Sequence, residues 1–245
     1  MSEFYGLKVD FVLPVKCDTE KRWTLLEQLW GSFVVNTPKE VVNRVVMVDD
    51  GSVINFEYRI SKMIEGDDFP GFEIVFPKAP AEPRGVGGAK NHGVSLCDPR
   101  GQFLYLMDSD VYFAKDWFKP LYLAYMKYKS EFKILAGGVH PYLQPRAGEG
   151  NNEITSHDAL SGWSWFMSYD VWDEYGKLAD NAIGSGKSED WEYCQRIRNA
   201  GFKVGCLKTQ MIAHCGMTNT EGLDIPGRQE SERLSEIVAP GVKLL

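Results

Sequence analysis

Short β-branched runs alternate with helical stretches along the first half of the chain. Residues 8–13 (KVDFVL) predict a strand that Pro14 breaks, and residues 20–34 set Trp23, Leu26, Leu29, Trp30 and Phe33 at spacings of three and four, one face of a helix. The pattern then repeats. Residues 44–48 (RVVMV) predict an apolar strand ending in Asp49-Asp50-Gly51-Ser52, followed by an amphipathic stretch over 54–64. A third strand over 72–76 leads through a Pro-rich link into a helical stretch over 85–96, and residues 103–107 (FLYLM) end in Asp108-Ser109-Asp110. Apolar strands followed by helices predict an α/β fold with a mainly parallel central sheet and helices on both faces. Ligands in such sheets sit beyond the carboxyl ends of the strands, so the polar residues after Leu13, Val48 and Met107 should share one rim.

From about residue 141 the pattern changes. Residues 144–157 (QPRAGEGNNEITSH) are polar and Gly-rich and read as a surface loop, whereas 161–167 (SGWSWFM) form a dense aromatic run. Residues 188–199 read as a helix, and 202–207 and 211–214 as strands, giving a smaller mixed portion on the same domain. Residues 221–245 read as a closing segment or a tail.

Composition narrows the classes. The 245 residues are 44% hydrophobic and 25% charged, enough to build a full core. No apolar stretch approaches the roughly 20 residues of a membrane-spanning helix. The formal charge of −7 and the lack of a Lys/Arg run disfavour a nucleic-acid partner. Five cysteines without a CxxC pair argue against a disulfide framework and a structural zinc site. The start, Met1-Ser2-Glu3-Phe4, carries an acid and no basic segment, unlike a secretory signal, so a cytoplasmic location is expected.

Four segments bear the candidate chemistry. Asp108 and Asp110 leave a buried strand with Ser109 turned away, two hard oxygen donors suited to a divalent cation, although Asp and Ser also favour turns. In Asp49-Asp50-Gly51-Ser52 the glycine permits a bend, Ser52 can cap the next helix, and one carboxylate can accept from a base or ribose. Residues 85–93 (GVGGAKNHG) look like a glycine-dense entry into a helix, where N–H groups and Lys90 would favour an anion, yet they match neither a P-loop nor a dinucleotide fingerprint. Glu189 and Asp190 open a helix carrying Glu192 and Arg196 at an i,i+4 spacing; the acids either stabilise the helix start or supply a general base. His214 ends a short strand and matters only if it meets Asp110 in space. Trp163 and Trp165 read as core or as a stacking surface for a sugar, with one of the two facing a site.

In this order the motifs resemble the GT-A glycosyltransferases, family 2 above all: a strand ending in DDGS, a GxxxAxNxG segment, a DxD, and an ED pair opening a late helix. The later half is also similar to the polypeptide N-acetylgalactosaminyltransferases and the galactosyltransferases, which share the aromatic strand, the ED-led helix and a metal-binding His. The resemblance implies one GT-A catalytic domain over 1–220, with a nucleotide-binding half to about 115 and an acceptor-binding half from about 116. It also implies a metal-dependent, inverting transfer of a sugar from a nucleotide sugar, UDP-sugar foremost, to a hydroxyl of a glycan, protein or small molecule. Pro14 and Val15 would border the base pocket, Asp50 contact the base, and Asp108 touch the ribose. Asp49, Lys90, Ser109 and Trp163 complete the expected donor contacts. Asp108, Asp110 and His214 would hold Mn2+ or Mg2+, Asp190 would deprotonate the acceptor, and Glu189 would position a substrate. Arg228 or Arg233 would reach phosphate from the closing segment. The family's usual Arg is replaced by Lys90, and Val15 stands where many relatives have Ser or Thr. A sugar nucleotidyltransferase and a catalytically silent carbohydrate- or nucleotide-binding protein share this layout and are the alternatives.

Overall fold

The computed structural model describes residues 4–65, 72–77, 85–138, 143–179 and 189–215. Its first half runs β1 (Val9–Val15), α1 (Glu20–Asn36), β2 (Val42–Asp49), α2 (Phe56–Ile64), β3 (Glu73–Val75), α3 (Gly85–Ser95), β4 (Phe103–Met107) and β5 (Val111–Phe113). Then follow α4 (Phe118–Tyr128), β6 (Phe132–Ala136), β7 (Ile154–His157), β8 (Ser164–Ser168), α5 (Tyr169–Tyr175), α6 (Glu189–Asn199), β9 (Lys203–Leu207) and β10 (Ile212–His214). Residues 221–245, with Arg228 and Arg233, and the Gly-rich approach over 183–187 lie outside the described residues.

Strand alternation assigns each side chain to a face of the sheet. Phe11, Leu13, Phe103, Tyr105 and Met107 pack with apolar residues of α1, α2 and α4, whereas Val12, Leu104 and Leu106 pack with those of α3, α5 and α6. Helices therefore cover both faces, as the uninterrupted apolar strands predicted. Eight strands form one sheet in the order β3-β2-β1-β4-β8-β6-β9-β7. The run from β3 to β4 is parallel, and β8 enters antiparallel to both β4 and β6. The mixed portion is thus a continuation of the same sheet. A separate two-stranded antiparallel ladder joins β5 and β10.

Three local expectations are corrected. Pro14 does not end β1, which runs to Val15 and pairs with β2 as far as Asp49. The Val15 carbonyl accepts from Asp50 N–H on the β2 side, so the Pro14 nitrogen faces the β4 side, where pairing has stopped at Val12. A missing donor costs nothing there. Ser52 does not cap α2; Asn55 does, accepting from Tyr58 N–H at 3.0 Å, while Ser52 Oγ accepts from Cys17 N–H at 2.9 Å. The polar segment read as a loop over 144–157 ends in β7, which pairs with β9 and buries Ser156 and His157.

Residues 85–93 lie inside α3 instead of leading into it. Their small size serves packing: a Cβ on Gly93 would stand 2.4 Å from Val12 Cγ1 and 2.9 Å from Val48 Cγ2. With no side chain there, α3 lies directly on β1 and β2. Trp163 and Trp165 do point to opposite sides, because Trp163 belongs to the turn before β8; strict alternation along a strand would have put both on one face. All five cysteines are free thiols, four of them buried. Among the described residues no helix is long and apolar enough to cross a membrane.

Candidate active site

The rim at the carboxyl ends of β1, β2 and β4 gathers the predicted acids. Asp49 spends its Oδ1 on the turn, accepting from Ser52 N–H at 2.8 Å. Asp50 follows it with a half-buried carboxylate; burial pushes its pKa up, with Lys16 pulling it down and Asp49 adding to the rise. Pro14 and Val15 are buried, and Val15 exposes nothing of its side chain. They form the floor of this region, and the exposed residue at the strand end is Lys16.

Past β4 the chain delivers Asp108, Ser109 and Asp110, all partly exposed. The β5–β10 ladder then decides what meets them: His214 pairs with Val111, and Cys215 N–H donates to the Asp110 carbonyl at 2.7 Å. That register puts His214 Nε2 3.2 Å from Asp110 Oδ1. One ligand atom from each of Asp108, Asp110 and His214 lies within 4.8 Å of the others. Burial alone would push the Asp110 carboxyl up, but the charge and hydrogen bond of His214 outweigh it and leave the carboxyl below its ordinary range. The Trp163 ring lies tilted against His214 with centroids 5.5 Å apart. A donor set of two carboxylates and one imidazole on one rim fits a divalent cation, and the mixed oxygen and nitrogen character leans toward manganese over magnesium.

The acids of α6 reach the same rim from the other side. Asp190 Oδ2 accepts from Gly162 N–H at 3.2 Å and Oδ1 from Trp191 N–H at 2.7 Å, which fixes the carboxylate plane. Glu189 is turned toward α3, where a Cβ on Gly87 would come within 3.2 Å of the Glu189 Cβ and 2.6 Å of the Ala179 carbonyl. Burial pushes the Glu189 carboxyl up; Lys90 opposes the rise and Asp190 and Asp108 add to it. The expected Glu192–Arg196 pair is present at 2.8 Å, and Arg196 also donates to the Tyr175 and Lys177 carbonyls. Glu192 stabilises α6 through this pair, together with the other acids of its first turn.

Lys90 is placed differently from a phosphate contact. It is 1% exposed, and its ammonium donates to Asp108 Oδ1 and to the Gly162 carbonyl, each at 2.7 Å. Asn91, quoted in the motif without a role, clamps Leu178 through both backbone groups at 2.9 Å and so anchors the segment approaching α6. Its signal in the sequence is a polar residue one helical turn after Gly87 and Gly88, on the same face of α3.

The sequence profile described as glycosyl transferase family 2 matches residues 20–142, half of the chain. Comparison with curated protein sequences gives no match. Among solved structures, GalNAc-T7 with UDP, GalNAc and Mn2+ is similar at a TM-score of 0.67 and 16% identity, over 95% of this chain and 48% of that one. A mannosyltransferase from Pyrobaculum calidifontis in complex with GDP-Man and Mn2+ gives 0.59 and 13%, over 82% and 54%. S. aureus TarS 1-349 in complex with UDP-GlcNAc gives 0.61 and 14%, over 84% and 57%. At these identities the likeness is one of fold, the GT-A arrangement expected from the motifs. The chain spans about half the length of the structures it matches.

Proposed function

Because the chain belongs to glycosyl transferase family 2, we propose that it is a metal-dependent, inverting glycosyltransferase acting on a nucleotide sugar, a UDP-sugar foremost. The acceptor is a hydroxyl of a glycan, a protein or a small molecule. The observation that carries this reading is the meeting of Asp108, Asp110 and His214 on the rim that also bears Asp50 and Asp190. GalNAc-T7 and the P. calidifontis mannosyltransferase, which share the fold, were each solved with Mn2+ and a nucleotide or nucleotide sugar.

Asp108, Asp110 and His214 would hold the cation, Mn2+ or Mg2+, which when bound offsets charge developing on the departing diphosphate. Asp50 follows the end of β2, where it can accept from a base N–H, and Asp49, Ser109 and Trp163, the last packed on His214, would complete the donor contacts. Asp190, with its plane fixed by two backbone N–H groups, takes the proton from the acceptor hydroxyl. The hydroxyl oxygen bonds to the anomeric carbon from the face opposite the leaving diphosphate, so configuration inverts. Glu189, held between α3 and α6, positions the donor sugar or the acceptor. The free cysteines support a cytoplasmic setting.

The test is a screen of UDP-, GDP- and dTDP-sugars for donor binding and hydrolysis, with Mn2+ and with chelator. Hydrolysis of one donor class that chelator abolishes is the expected result. Absence of both binding and metal-dependent turnover for every donor would overturn the reading.

A further inference from the structure

Among the described residues no other lysine is buried as Lys90 is. Enclosing an ammonium costs several kcal/mol unless partners replace its water, so its two short hydrogen bonds are the condition of its being there. Those bonds run to different halves of the site. Asp108 Oδ1 belongs to the cation-binding acids beyond β4, and the Gly162 carbonyl to the turn before β8. The same glycine donates its N–H to Asp190 Oδ2, and a Cβ built on it would lie 3.4 Å from both Asp190 Cβ and Lys90 Nζ. The next residue, Trp163, accepts through its carbonyl from Asp108 N–H at 3.3 Å and packs on His214. A continuous chain of contacts thus runs from Asp108 through Lys90 and Gly162 to Asp190.

We propose that Lys90 is a positioning residue, a strut that sets the separation between the Asp108–Asp110–His214 cluster and the Asp190 carboxylate before any substrate arrives. The inference rests on the roles proposed above for those acids. Pointing into the protein, Lys90 acts through Asp108 and Gly162 and not on the donor. Rate in such a site depends on pre-set geometry, so a loosened strut affects turnover more than donor affinity. The ammonium also competes with a cation for Asp108, so its removal should not weaken Mn2+ binding.

Lys90→Met and Lys90→Arg test this with three readouts. In the ligand-free protein, amide hydrogen exchange at Gly162 should speed about tenfold or more in Lys90→Met. Mn2+ titration without nucleotide should show affinity retained or tightened. Turnover should fall about tenfold or more with donor KM within about threefold, and Lys90→Arg should return turnover to within about threefold of the wild type. Unchanged exchange at Gly162 overturns the strut. A raised donor KM with unchanged kcat overturns it in favour of a phosphate contact, and weaker Mn2+ binding assigns Lys90 to the cation site alone. If Lys90→Met does not fold, Lys90→Arg decides: native exchange at Gly162 with turnover lost overturns the proposal, and native exchange with turnover kept supports it. A wild type that binds neither Mn2+ nor nucleotide sugar would remove the reading of the site, while exchange at Gly162 would still decide whether Lys90 holds that turn.

Discussion

Asp190 and Glu189 are neighbours in sequence with opposite surroundings. Asp190 is fixed by two N–H donors, and asparagine keeps one acceptor oxygen for them. Asp190→Asn should therefore bind donor within about threefold of the wild type, by calorimetry, while transfer falls about 100-fold or more if Asp190 is the base proposed above. Glu189 is a carboxyl whose folded pKa is raised, chiefly by burial. Its ionisation costs stability in a window that opens as pH rises past the unfolded value of roughly 4.3 and is complete above the folded one. Glu189→Gln should raise the melting temperature at pH 7, and the gain should vanish below about pH 4. A gain that persists in acid would mean that ionisation is not its source. At this scale the sequence disclosed acids and missed direction. Asp108 and Asp110 were nameable as paired oxygen donors after an apolar strand, and His214 as their partner only through the family resemblance, whereas nothing in GVGGAKNHG tells whether Lys90 faces solvent or the protein interior.

Among elements, α3 shows why a glycine motif can mislead. Its glycines read as a helix entry that would favour an anion, and two of them are places where another part of the chain comes too close for a side chain. Gly93→Ala should cost about 2 kcal/mol by denaturant unfolding, since overpacking against Val12 and Val48 outweighs the better helix propensity of alanine. The fully apolar 103–107 was legible to the residue, because a strand covered on both faces leaves no polar position to blur its ends. β7 was not, since its ITSH lies in a polar stretch and, among the described residues, it pairs with β9 alone. The segment spanning β5, α4 and β6 carries little periodic signal: β5 has three residues, and α4 carries Pro120 in its first turn.

For the molecule as a whole, the cation would join the parallel half, through Asp108 and Asp110, to the strand that carries His214. Binding a ligand only to the folded state stabilises by mass action, about 2.7 kcal/mol at 100 times Kd. Mn2+ should accordingly raise the melting temperature of the wild type, and His214→Ala should melt nearly as the wild type does in chelator yet lose most of that rise. Equal Mn2+ shifts in the two proteins would place His214 outside the cation's shell. The β5–β10 ladder also imposes an order in time. Asp108 and Asp110 leave the ribosome about a hundred residues before His214, whose register against Val111 places it beside them. During synthesis at roughly 5–20 residues per second, the acids wait several seconds for their imidazole. A nascent chain can thus assemble the parallel strands before His214 is in place, so capture of the proposed cation would follow the folding of the parallel half.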